Sequence, residues 1–80
     1  MTLKETLMRI FNQMTASQPQ VVLARHLSTS QPKICRLRAY DLHVISLERL
    51  VGWILRLGYD IRITISQGSG RLSVRWQGED

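Results

Sequence analysis

Gln31, Lys33 and Arg36 sit within six residues of one another and offer three different ways of holding a nucleic acid. A glutamine side chain bonds adenine N6 and N7 as a pair, and an arginine does the same with guanine O6 and N7. Each such pair is worth about 1–3 kcal/mol of discrimination. Lysine is a compact charge better suited to a phosphate. These groups become useful only if a rigid element aims them together. Ser30-Gln-Pro-Lys33 has the form of a helix start, with Ser30 as N-cap and Pro32 just inside, so the spacing predicts a helix to about Arg38. Ile34 and Leu37 are then its inward pair, leaving Gln31, Cys35, Arg36 and Pro32 on the opposite side.

The helix before it must hold that one in place. Ser17-x-x-Gln20 reads as a capping box, with Pro19 tolerated in a first turn that has no inward N–H bond to lose. This helix is expected to reach about His26, with Val21 or Val22, Ala24 and Leu27 turned inward. Small Ala24 lets the next helix approach closely, and Leu27-Ser28-Thr29 forms the turn between the two. The start of this helix, Gln18 to Gln20, offers backbone N–H groups to a phosphate.

The flanking segments supply the rest of a core. Thr2-x-x-Glu5 is another capping box, followed by Leu3, Leu7, Ile10, Phe11 and Met14 at helical spacing, which predicts a helix over 2–14 with Arg9 and Asn12 on its wet side. Residues 40–43 read as an irregular link. Ser46 caps a helix of Leu47, Leu50, Val51, Ile54 and Leu55 that stops at Gly58. That helix is too apolar to show one narrow stripe and is expected at the centre of the core.

After Gly58 the period changes to 2. Tyr59, Ile61, Ile63 and Ile65 alternate with Asp60, Arg62, Thr64 and Ser66. Beyond the turn Gln67–Gly70, Leu72, Val74 and Trp76 alternate with Arg71, Ser73 and Arg75. Pairing Ser66 with Arg71 puts every apolar side chain on one face. The expected fold class is therefore mainly α with a C-terminal β-hairpin: four helices over about 2–58 and a hairpin over about 59–76, in one domain of residues 1–80. Residues 77–80 are expected to fray.

Size and charge narrow the function. A chain of 80 residues buries only about 60–65% of its unfolded surface, so a monomer is marginal and small domains commonly add disulfides, metal or oligomerisation. One cysteine excludes an internal disulfide, and Cys35, His26 and His43 lack paired metal-ligand spacing. Two-fold pairing through the hairpin row (Ile61, Ile63, Ile65, Leu72, Val74 and Trp76) is the expected support.

The formal charge of +5 is unevenly spread. No acidic residue lies between Glu5 and Asp41, where Arg9, Arg25, Lys33, Arg36 and Arg38 fall, as in a phosphate-binding surface. His43 with Asp41 has no nucleophile or second carboxylate beside it, so no enzyme is expected, nor any cofactor. Trp53 and Trp76 read as core or interface anchors. The N-terminal stretch lacks the apolar run of a signal peptide and no window approaches 18 apolar residues, so the expectation is a soluble, cytoplasmic, nucleoid-associated chain.

Gln20-x3-Ala24-x2-Leu27, then Ser30-Gln-Pro-Lys-Ile-Cys-Arg-Leu37, then Ser46-Leu-Glu-Arg-Leu50-x6-Leu57-Gly58, resembles the Xre-type, lambda-repressor-like helix-turn-helix family. It is closest to the HigA-type antitoxins encoded beside RelE-like or HigB-like toxins. The resemblance covers roughly residues 15–66. It implies a DNA-binding repressor that forms homodimers, binds an operator and, as an antitoxin, pairs with such a toxin. It also places the groove-facing residues at Thr29, Ser30, Gln31, Pro32, Lys33 and Arg36, with Gln20 at the start of the preceding helix. A stand-alone regulator of a phage or mobile element would have the same DNA chemistry without a toxin. An interaction module that has lost DNA binding is opposed by the basic block.

The chain departs from the family at four places. Ser28 replaces the common turn glycine, which is tolerable if that residue is not strictly left-handed. Cys35 replaces a serine of similar size. Tyr40 stands where many relatives have glycine. The second strand extends beyond the minimal pattern, so no family role passes to it.

Overall fold

The computed structural model describes residues 2–66, 68 and 71–78. Four helices, α1 (Leu3–Met14), α2 (Gln20–His26), α3 (Gln31–Arg38) and α4 (Leu47–Arg56), precede an antiparallel hairpin of β1 (Tyr59–Ser66) and β2 (Arg71–Gly78). No helix among the described residues is long and apolar enough to cross a membrane.

Local chemistry explains most element boundaries. At α1 the expected capping box is complete: Thr2 Oγ1 accepts from the Glu5 backbone N–H, and Glu5 Oε1 accepts from the Thr2 N–H and hydroxyl. Those bonds hold the Glu5 carboxyl below its ordinary range, because they favour the ionised form. Ser30 and Ser46 cap α3 and α4, accepting from the backbone N–H of Lys33 and Arg49. Helix α2 differs from expectation. Its N-cap is Pro19, with no side-chain bond, and Ser17 does not cap. Proline disfavours helical geometry in the residue before it, so Gln18 cannot be the first helical residue and Ser17 is left two positions too early. Instead the Gln18 N–H donates to Thr15 O in a tight turn.

The core is a cluster from all four helices, including Leu7, Met8 and Phe11 of α1, Leu23 and Ala24 of α2, Ile34 and Leu37 of α3, and Leu50, Trp53 and Ile54 of α4. Leu27 and Ile45 from the connections complete it. Phe11 and Trp53 meet with ring centroids 6.1 Å apart.

Three expected placements are corrected. Leu23, not Val21 or Val22, fills the inner face of α2, and both valines are exposed. A helix opening at Gln20 turns positions 20, 23, 24 and 27 to one side, so the valines fall on the other. Asn12 is not on the wet side of α1; it is half-buried and bonds α3. Helix α4 is not encased, since Glu48, Arg49, Gly52, Leu55 and Arg56 form an exposed face.

The hairpin has the expected register, with Ser66 opposite Arg71, Ile63 opposite Val74 and Ile61 opposite Trp76. Pairing continues past the expected end, to Asp60 with Gln77 and Tyr59 with Gly78, so Gln77 belongs to the strand. The row lies partly on the helices: Tyr59, Ile61 and Val74 pack against the core, while Ile63 and Trp76 stay exposed. Tyr59 and Trp76 meet edge to face at 5.4 Å. The side chains of Ile65 and Leu72, also expected in this row, lie outside the described residues, as do positions 67, 69, 70, 79 and 80.

Candidate nucleic-acid interface

Helices α2 and α3 are joined by a turn whose backbone is fully specified. The Ser28 N–H donates to Arg25 O at 3.2 Å and the Thr29 N–H to Ala24 O at 2.9 Å. This bonding pattern requires a left-handed residue after the helix, and Ser28 supplies it with φ of 57°. The condition on which serine was expected to be tolerated here, a residue that is not strictly left-handed, is therefore not met. The same arrangement closes α3: the Tyr40 N–H donates to Leu37 O and the Asp41 N–H to Arg36 O, with Tyr40 at φ 61°. Both positions, where the resemblance would put glycine, adopt the left-handed conformation that glycine enters without steric cost. An L side chain held there costs about 1–2 kcal/mol, which the surrounding packing and hydrogen bonds must offset.

Helix α3 is held from behind and from its C-terminal end. Ile34 and Leu37 are fully buried. Asn12 Nδ2 donates to Leu37 O at 3.0 Å, and Arg38 Nη2 donates to Thr15 O at 3.0 Å and Gln18 O at 2.6 Å. Arg38 is thus committed to the α1–α2 connection and, among the described residues, is the one member of the basic block tied into the fold by side-chain hydrogen bonds. A further tie comes from Arg56 at the end of α4, whose Nη2 reaches Ser28 Oγ at 3.4 Å. Nothing in the local periodicity pointed to Asn12 or Arg56, because each acts on an element distant in sequence.

The outer side of α3 is left open. Gln31, Pro32, Cys35 and Arg36 are exposed. At 100° per residue they fan over an arc of about 140°, with Gln31 and Arg36 at its flanks and Cys35 near its middle. Gln31 and Arg36 are about 7.5 Å apart along the axis, roughly two base-pair steps. Cys35 is a free thiol on that arc. Ser30 is exposed, and while its oxygen accepts the capping bond its hydroxyl proton remains free to donate. Thr29, Lys33 and Gln20 are half-buried, the last as the first residue of α2. The charged heads of Arg25, Lys33 and Arg36 have no hydrogen bond or ion pair to another described residue, and neither α2 nor α3 contains a carboxylate. The structure therefore gathers Thr29, Ser30, Gln31, Pro32, Lys33 and Arg36 at one turn and the helix that follows it. Gln20 lies at the far end of the helix before that turn.

No family model, no curated protein and no solved structure matches this chain.

Proposed function

We propose that this protein is a sequence-specific duplex DNA binder that acts as a transcriptional repressor, with α2–turn–α3 as its helix-turn-helix and α3 as the reading helix. One observation carries the reading. Gln31 and Arg36 stand exposed on an arc of α3 whose opposite side is locked into the core by Ile34 and Leu37, in a patch without carboxylates. Amide and guanidinium groups on a short rigid helix are the chemistry that base edges in the major groove require. Lys33, Ser30 and Thr29 then serve the phosphates beside those bases.

A single module reads few base pairs, so the reading includes a homodimer joined through the hairpin, whose Ile63 and Trp76 remain uncovered within one chain. Selection of bound duplexes from a random pool tests the whole reading. The expected product is a two-fold-symmetric site with half-sites about one helical turn, ~34–36 Å, apart. Enrichment of no sequence, with binding governed by salt alone, would contradict it.

The resemblance to the Xre-type family and its HigA-type antitoxins supports a further part of the proposal, in which the protein neutralises a RelE-like or HigB-like ribonuclease encoded beside it. Co-expression should then restore growth that the neighbouring protein blocks. Failure of rescue would leave a stand-alone regulator with the same DNA chemistry.

A further inference from the structure

Two copies can join through the hairpin in several ways, and the charges on its strands discriminate among them. The sheet has only two strands, so each has one edge without a neighbouring strand. Strand β2 carries Arg71 and Arg75 and no acidic residue. Antiparallel self-pairing of β2 about Ser73 sets Arg71 against the partner's Arg75, and pairing about residue 75 sets that arginine against its own copy. Pairing about residue 71 does the same there, and the remaining registers oppose arginine to serine or glutamine. Among the described residues none brings opposite charges together, and like charges directly opposite one another weaken a sheet.

Strand β1 differs because Asp60 and Arg62 occupy the same face, two residues apart. Both are exposed, and neither side chain has a hydrogen bond or ion pair to another described residue. Within the hairpin Asp60 lies opposite Gln77, and Arg62 lies opposite another cation, Arg75. Arg62 therefore has no carboxylate across the strand in its own chain. Antiparallel pairing of β1 with a second β1, centred on Ile61, supplies one. It sets Asp60 against the partner's Arg62 and Arg62 against the partner's Asp60. On the apolar face the same register puts Ile61 against the partner's Ile61 and Ile63 against the partner's Tyr59. Ile63 is 41% exposed in the single chain, whereas Ile61 and Tyr59 already pack on the core. The partner's Tyr59 would cover this exposed residue. Pairing centred on Arg62 or on Ile63 loses both charge pairs.

We propose that two copies of this chain associate edge to edge through β1 about a two-fold axis at Ile61, forming a four-stranded sheet in the order β2–β1–β1–β2 with reciprocal Asp60–Arg62 pairs. The inference rests on the dimer reading above and adds the edge, the register and the charges that select it.

A charge swap in the full chain tests it, with dimer dissociation followed by sedimentation and hairpin stability by thermal melting of the dilute monomer. Asp60→Arg and Arg62→Asp should each raise the dimer dissociation constant roughly tenfold or more, and the double variant should return to within about threefold of wild type. Arg62→Asp also places a carboxylate opposite Arg75 within the chain, so the melting temperature of its monomer should hold or rise while its dimer weakens. A purely structural role for Arg62 would lower both. A wild-type chain that stays monomeric at tens of micromolar would overturn the dimer reading and this inference together. A wild-type dimer indifferent to both single variants, or a double variant as weak as the singles, would overturn the register and leave the dimer reading standing.

Discussion

The α2–α3 unit and the hairpin both combine a buried face with an exposed one, but they are secured differently. Behind α3, Ile34 and Leu37 are fully buried, the C-terminal carbonyls are engaged by Asn12 and by turn N–H groups, and Arg38 ties the helix to the preceding connection. What α3 exposes is led by the polar ends of Gln31 and Arg36, with the small Pro32 and Cys35 between them. The hairpin is held by its ladder and by three half-buried side chains, and it leaves Ile63 and Trp76 open to solvent. A fixed element with a polar face suits recognition of a polar partner, because its donors keep their geometry before binding. A lightly anchored element with an apolar remainder suits association with a partner that completes its burial.

Cutting one side chain from each region is the severest way to break this contrast. Leu37→Ala should cost about 2–5 kcal/mol by urea unfolding, because it opens a cavity beneath α3. Ile63→Ala, measured in dilute monomer, should cost less than about 1 kcal/mol, since much of that side chain already faces water. Equal losses would mean that the hairpin is as deeply anchored as the helix. Next in size, Ser30→Ala should cost about 1 kcal/mol through the lost N-cap of α3, and Ser17→Ala should change stability little. A large effect at Ser17 would show that it caps α2 after all. Smallest are two expected gains. Ser28→Gly and Tyr40→Gly should each raise stability by up to about 1 kcal/mol, because relief of the left-handed strain exceeds the added backbone entropy. A loss at Ser28 would show that its bond from Arg56 outweighs the strain.

The helices, the hairpin register and the exposed arc of α3 were legible because each follows from local spacing: caps at Thr2, Ser30 and Ser46, and a period of 2 after Gly58. The misplacements arose where a neighbour overrode the pattern. Pro19 pushed the α2 start two residues past Gln18, and the face that Ala24 and Leu27 define takes in Leu23 and leaves both valines outward. Asn12 lies at a position that the periodicity of α1 leaves ambiguous, and only the approach of α3 decides that it is half-buried. Ser28 and Tyr40 are left-handed because the N–H groups that follow α2 and α3 bond back to helix carbonyls, a requirement of the motif that residue preference alone does not reveal. The ties from Arg38 and Arg56 span 20 or more residues, so no window along the chain contains both partners.

The central claim is that α3 reads bases rather than merely adding positive charge to a surface. Binding of Arg36→Ala and Lys33→Ala to the selected duplex and to random duplex, each over a range of salt, tests it most directly. Arg36→Ala should weaken the selected duplex by about 1–3 kcal/mol more than random DNA, relaxing preference at one position of each half-site. Lys33→Ala should weaken both alike and flatten the salt slope by about one unit for each phosphate that the lysine no longer neutralises. Equal loss on both duplexes for Arg36→Ala would contradict the account.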